Sequence, residues 1–379
     1  MADLTVAQLE ADPHPLLARL RETEPVAWVP ALNGWLVTRR DLALEVMRDA
    51  ETFTVDDPRF STGQVVGRSM LTTDGEEHAR QRAPFARPFR RDAVLARFSA
   101  AVELEVEQLV AAIEPAGRAE LRRGLAGPLA AVTMAVALGL EDVGVEAMLG
   151  WYDEIVAATS GLSAGRPVSE IGRAAAEELR AAIEARLEGE SLVAAAASEL
   201  SPAEVSSNAA VLLFGGIETT EGMICNALLH LLSHEDQLAL VREDRSLLAN
   251  AIEESLRLEP AAASVDRYAA REVELAGAVI AAGDLVTVSI AAAGRDPQAF
   301  DDPDSYDVRR ANANRHLAFA AGPHVCIGMH LARLEAELAL SRLLDRLAGL
   351  RLDPEQPAAP RGLVFRKPPE LHVLWDTTS

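Results

Sequence analysis

Apolar residues recur three and four positions apart over most of this 379-residue chain. The pattern predicts helices over Asp41 to Asp49, Ala93 to Ile113, Ala174 to Leu187 and Leu331 to Leu347, the last carrying Leu331, Leu334, Leu338, Leu343, Leu344 and Leu347. Ser201-Pro202-Ala203-Glu204 combines an N-cap serine, a proline at the first helical position and a capping-box glutamate, so another helix starts there. It continues past Leu232 without a proline, which at 1.5 Å per residue makes it about 45 Å long. Strand signals are fewer. Val26-Ala27-Trp28-Val29 and Trp35-Leu36-Val37 flank an Asn33-Gly34 pair, the pattern of a β-hairpin, and a second β-rich patch runs from Val273 to Ile290. The expectation is a mainly α protein with a smaller β part, and with no linker in sight a single domain over 1–379.

Composition narrows the class. Hydrophobic residues make up 49% and charged residues 25%, as in a globular protein with a sizeable core. A formal net charge of -22 repels nucleic acid and anionic membrane, so neither is expected as a partner. The uncharged run Leu125 to Leu140 is too short to span a bilayer and is interrupted by Pro128, which favours a buried core helix. Cys225 and Cys326 are the only cysteines and lack CxxC spacing. The N-terminus has no basic region ahead of an apolar one, so the expected compartment is the reducing cytoplasm.

The candidate chemistry lies in two places. Phe319-Ala320-Ala321-Gly322-Pro323-His324-Val325-Cys326-Ile327-Gly328 opens directly onto the Leu331 to Leu347 stretch, so Cys326 sits where a glycine-rich loop becomes a helix. Free N–H groups and the positive helix end favour a thiolate there, available to a soft metal. Cys225, on the long helix without such a loop, reads as a small hydrophobe. Inside the same long helix lies Phe214-Gly215-Gly216-Ile217-Glu218-Thr219-Thr220. Each interior glycine costs about 1 kcal/mol relative to alanine, and an interior threonine can divert a backbone hydrogen bond. Either a flat group packs into a groove here or a neighbouring helix crosses closely.

The cysteine loop, Gly-Gly-Ile-Glu-Thr in a long helix, Glu254-Ser255-Leu256-Arg257 and His78-Ala79-Arg80-Gln81-Arg82 occur in an order that resembles the cytochrome P-450 superfamily of haem-thiolate monooxygenases, over nearly the whole chain. The resemblance implies a single-domain cytochrome P-450 fold, a triangular helical prism with small β-sheets. It implies haem b held by Cys326 as the axial thiolate ligand of iron. His78, Arg82, Arg267 and His324 match the partners of the haem propionates, and Phe319, Gly322, Gly328 and Gly215 would line the cofactor. Glu254 and Arg257 would lock onto Arg310 in a structural role. Glu218 and Thr219 match the acid and alcohol that deliver protons to bound dioxygen.

Departures are Ala320, where glycine is frequent, and Gly215, where alanine is commoner. The segment from Trp151 to Leu200, which would form the substrate lid, looks short. The matching substrate contacts are Val65, Val66, Met70, Val211, Phe214, Ala262, Ala263 and Val265, which imply a largely apolar small substrate of secondary metabolism or catabolism.

The implied reaction uses O2 and two electrons from a ferredoxin and its ferredoxin reductase to hydroxylate, desaturate or couple that substrate, in a monomer. Arg80, Arg82, Arg87, Arg90 and Arg91 form a basic cluster suited to an acidic ferredoxin. Two alternatives stand beside this reading. One is a non-catalytic haem-thiolate binding protein or gas sensor, against which Glu218 and Thr219 speak. The other is a cofactor-free enzyme with Cys326 as nucleophile and His324 as base, for which no third orienting group is evident.

Overall fold

In the computed structural model, which describes residues 5–163, 167–188 and 191–377, the capping signal at Ser201 initiates a helix over Pro202–Ser233, 32 residues long. The Glu204 carboxylate accepts the Ser201 N–H at 2.9 Å, and the Ser201 hydroxyl accepts the Glu204 N–H at 3.4 Å. Apolar residues all round this helix, among them Leu213, Ile224 and Leu228, are fully buried, each contributing about 2 kcal/mol of apolar burial. The helices Gly127–Leu138, Leu248–Leu258 and Met329–Arg346 pack against it. The first of these is the uncharged run, a core helix as its composition suggested. No helix among the described residues is long and apolar enough to cross a membrane.

Strand pairing is confined to small sheets. A five-stranded sheet runs in the order Val26–Val29, Gly34–Val37, Leu285–Ser289, Ser264–Ala269, Phe53–Thr54, with its second and third strands parallel and the other pairs antiparallel. The expected hairpin is present, but Gly34 is already a strand residue opposite Val29. A single helical turn, Pro30–Leu32, precedes Asn33, which alone adopts the left-handed conformation (φ 48°). The patch from Val273 to Ile290 divides into a hairpin, Val273–Leu275 with Ala278–Ile280, and the sheet strand Leu285–Ser289. The remaining sheet joins Arg118–Glu120, His372–Leu374 and Arg351–Leu352. Expected helices appear at Arg40–Arg48, Arg91–Ile113, Glu170–Glu184 and Met329–Arg346, within a few residues of the apolar pattern.

One buried polar knot ties the helical layer to the segment that leads to Cys326. On Leu248–Leu258 the Glu254 carboxylate accepts Arg257 Nε at 2.7 Å and Arg257 Nη2 at 2.8 Å. It also accepts Arg310 Nε at 2.8 Å and the Asp307 N–H at 3.2 Å. Arg257 spends its remaining donors on the carbonyls of Gly294, Pro303 and Ser305. Glu254 and Arg257 are entirely buried, so their charges persist only because every donor and acceptor is met.

Removing the carboxylate leaves two guanidiniums without their counter-ion. Glu254→Ala should therefore cost about 3–5 kcal/mol, read as a lower midpoint in urea unfolding. A loss below about 1 kcal/mol, the value of an exposed pair, would contradict this assignment.

Candidate functional site

Cys326 is positioned from both flanks by a second carboxylate on the same helix, one residue from Glu254. Glu253 accepts Arg333 Nε at 2.6 Å and Nη2 at 2.9 Å, and faces His316 Nε2 at 3.1 Å. His316 precedes the cysteine loop and Arg333 follows it, so one side chain fastens both ends. Burial acts to raise the Glu253 carboxyl, yet the hydrogen bonds from Arg333 and His316 win and hold it at about 2. Arg333 also lies over the Phe319 ring at 4.4 Å.

Within the loop the Cys326 N–H donates to the Phe319 carbonyl at 2.8 Å. Gly322 adopts φ +73°, and a Cβ there would collide with the Met47 carbonyl oxygen. Ala320 takes a left-handed φ of 58°, a strain of about 1–2 kcal/mol for a residue with a Cβ. The alanine that stands where glycine is frequent is thus held against its backbone preference.

A cavity of about 310 Å3 opens against this loop. Its wall includes Cys326 and Gly328 from the loop, Gly215, Gly216 and Thr219 from the long helix, and Arg82, Arg267 and His324. The two adjacent glycines answer different demands. A Cβ at Gly215 would meet nothing within 4 Å, so that position opens space, as does Gly328. At Gly216 a Cβ would lie 2.5 Å from Met134 Sδ, so that position permits a close helix crossing. The close helix crossing raised by the sequence is present at Gly216, while Gly215 leaves a groove open. Thr219 Oγ1 donates to the Gly215 carbonyl at 2.6 Å.

The cations facing the cavity are short of anions. Arg82 Nη2 donates to the Val325 carbonyl at 2.6 Å, and Arg267 Nη1 to the Asp266 carbonyl at 2.7 Å. Neither has a carboxylate within ion-pair distance among the described residues. Burial lowers the pKa of both guanidiniums, so the wall favours an anionic ligand. His324 Nε2 lies 2.7 Å from Asp74 Oδ1. Burial disfavours the imidazolium and also acts to raise Asp74, but hydrogen bonds from His324, Thr54 and the Val55 N–H bring that carboxyl down to about 2. At neutral pH a neutral imidazole therefore donates to a carboxylate.

Not every expected residue reaches the cavity wall. His78 does not line the cavity: its Nδ1 is 2.6 Å from the Met70 carbonyl and its Nε2 is 3.1 Å from that of Pro323, so it buttresses the loop. Glu218 does not line it either, because its carboxylate turns the other way to Tyr152 and Lys367. Met70, Val211, Phe214, Ala262 and Val265 are on the wall. Val65 and Val66 instead pack on the helical core, and Ala263 faces a separate cavity of about 630 Å3.

Burial pushes the Cys326 thiol up, and the N–H groups of Gly328 and Met329 and the charge of Arg82 act against that. A cation at the sulfur would favour the thiolate.

Other residues on the wall escaped the sequence reading. Thr159 and Ser160 reach it from Val145–Ser163, and Phe365 from the C-terminal segment. Glu335 reaches it from the helix after Cys326, and burial raises its carboxyl well above the usual range against the opposing effect of Thr133. The signal for Glu335 was available: it falls one turn after Leu331, on the apolar face.

Known proteins share this arrangement of elements. The cytochrome P450 family model matches residues 169–374. The cytochrome P450 monooxygenase PikC of Streptomyces venezuelae is 36% identical over 385 residues, covering 96% of this chain and 90% of that protein. Nocardicin C N-oxygenase of Nocardia uniformis subsp. tsuyamanensis is 34% identical over 394 residues, covering 96% of each. The crystal structure of CalO2 superposes with a TM-score of 0.89 at 29% identity, over 99% of this chain and 100% of that one.

The depressed Asp74 carboxyl sets a pH dependence. Its folded value of about 2 lies below the ordinary one, so its contribution of about 2 kcal/mol is present above about pH 4 and lost as pH falls towards about 2. Asp74→Asn should lower urea stability at neutral pH, with the deficit closing over that acid window. A deficit that stays constant down to about pH 2 would contradict the assignment.

Proposed function

The chain belongs to the cytochrome P450 family, and on that premise we propose that it oxidises a largely apolar small organic substrate with O2 and two electrons from a ferredoxin-type partner. Haem is the cofactor of the family, and when bound it supplies the oxidant generated from O2. The residues present fit it. The sulfur of Cys326 would hold its iron, Arg82 and Arg267 would take the propionates, and Gly215 and Gly328 leave open the space that side chains would fill.

The observation that carries this reading is the meeting of Cys326, Thr219 and two guanidiniums lacking anions on one cavity wall. Thr219 directs its proton to the Gly215 carbonyl, which leaves the hydroxyl oxygen able to accept one from the cavity. Glu218, facing away, would hold protons in reserve and pass them inward after its side chain turns. Phe214, Val265, Met70 and Phe365 exclude water and favour an apolar reacting carbon.

For the electron donor, the basic cluster expected from sequence contracts. Arg80 is tied to Glu77 at 2.8 Å and to Glu204, and Arg82 faces the cavity. Arg87, Arg90 and Arg91 remain exposed. Burial, then the charges of Arg333 and Arg91, lower the imidazole of His330 on the helix that follows Cys326, so Arg91 lies near that helix. These arginines would receive an acidic ferredoxin near the cysteine. Two unpaired cysteines suit a reducing cytoplasm.

The reduced holoprotein with carbon monoxide should show the red-shifted Soret band of thiolate ligation, and Cys326→Ala should abolish it. Thr219→Ala should retain haem but lower product formed per NAD(P)H by about tenfold, with peroxide replacing product. Unchanged coupling would remove Thr219 from proton delivery. Reversing charge at Arg90 and Arg91 should raise the KM for an acidic ferredoxin several-fold at low salt, an effect fading at about 1 M. An unaltered KM would place the docking surface elsewhere.

A further inference from the structure

Of the 36 lysine and arginine residues only one is a lysine, Lys367, and it is not on the open surface. Its ammonium lies 2.8 Å from Glu218 Oε2, 2.7 Å from Glu221 Oε1 and 2.7 Å from the Tyr152 hydroxyl. Three N–H bonds thus meet three acceptors. The Tyr152 hydroxyl donates in turn to Glu218 Oε2, so the amine and the carboxylate are joined both directly and through a phenol.

The surroundings form a built site. Arg122 Nε donates to Glu221 at 2.6 Å and Arg123 Nη1 stands 3.6 Å from it. Gly127 is required beside them, because a Cβ there would lie 2.6 Å from Glu221 Oε2. The thiol of Cys225 is near enough to feel Glu221 and Lys367. Two carboxylates therefore face Lys367 and Arg122 with no net charge, and Arg123 stands at the rim.

These groups differ in what they can do with a proton. A guanidinium does not release one at physiological pH. Burial together with Glu218 and Glu221 keeps Tyr152 a neutral phenol, which can pass a proton only by accepting one as it gives one. Lysine can release a proton and swing on a flexible stem. Its side chain is 11% exposed, against 3% for Glu218 and none for Glu221, so it is the proton-releasing group of the cluster that meets solvent.

We propose that Lys367 is the positioning residue that supplies Glu218 with protons. A proton leaves Nζ for Glu218 Oε2, directly or by way of the Tyr152 hydroxyl. The resulting carboxylic acid is uncharged, is released by the amine, and turns towards the cavity beside Thr219. The neutral amine regains its proton from water at the exposed edge, so one proton moves inward and no electron is transferred. The direct contact at 2.8 Å and the bridge through the Tyr152 hydroxyl give that proton two routes. The inference rests on the assignment of Glu218 and Thr219 to proton supply.

Lys367→Arg keeps the charge and removes the transferable proton. In the haem-loaded protein with a saturating electron donor, it should retain haem content, the carbon monoxide spectrum and the substrate-induced spin shift. Product per NAD(P)H should fall by about tenfold and the solvent deuterium isotope effect should increase. Coupling within about twofold of wild type would overturn the proposal, because a merely structural cation is replaced by arginine. Thr219→Ala run alongside separates the two failures. If it uncouples while Lys367→Arg does not, the lysine proposal falls alone; if it does not uncouple, the underlying assignment falls.

The wild-type protein gives an independent readout. Labelling with 15Nζ-lysine yields one amine resonance, expected away from the free-lysine position and protected from exchange with water. A resonance indistinguishable from free lysine overturns the proposal even if the variant does not fold.

Discussion

Burying charge in a helical protein is costly unless each charge is answered, and the cysteine loop is held by two answered charges one residue apart. Glu254 and Glu253 project from a single helix. The first grips Arg257 and Arg310 in the approach to the loop, and the second grips His316 and Arg333 on either side of it. Neither network adds greatly to net stability compared with a well-packed apolar core. Their value is geometric, since a carboxylate held by four donors at Glu254 and by three at Glu253 restricts the arrangement of the segments that supply them. The position of the Cys326 sulfur follows from that restriction, and the cavity follows from the sulfur.

The cavity combines an inverted field with missing side chains. A protein of net charge -22 directs two guanidiniums lacking anions into its interior, so its centre attracts what its exterior repels. The long helix contributes empty space at Gly215 and close approach at Gly216, where Met134 sets the distance to the neighbouring helix. One glycine makes room and the other fixes how much room there is.

Features encoded within a few residues were legible. The Ser201 capping box, the hairpin from Val26 to Val37, the core helix after Pro128 and the loop-to-helix transition at Cys326 all rest on local chemistry that tertiary packing left intact. The strand Ser264–Ala269 was not legible, because its central place in the sheet depends on partners far away in sequence. For the same reason nothing local marked Glu253 or Lys367, whose partners also lie far away in sequence. His78 illustrates the limit of a motif: spacing put it near the loop, while the fold turned its ring to two carbonyls.

The enclosure of Lys367 has a consequence for handling the protein. With no other lysine in the chain, the one side-chain amine meets solvent only at a narrow edge, and an acylating reagent too bulky to follow water into the cluster finds almost nothing to modify. Reaction at residue 367 would then record the moments when the C-terminal segment lifts from the long helix, giving the molecule an intrinsic chemical clock for its own opening.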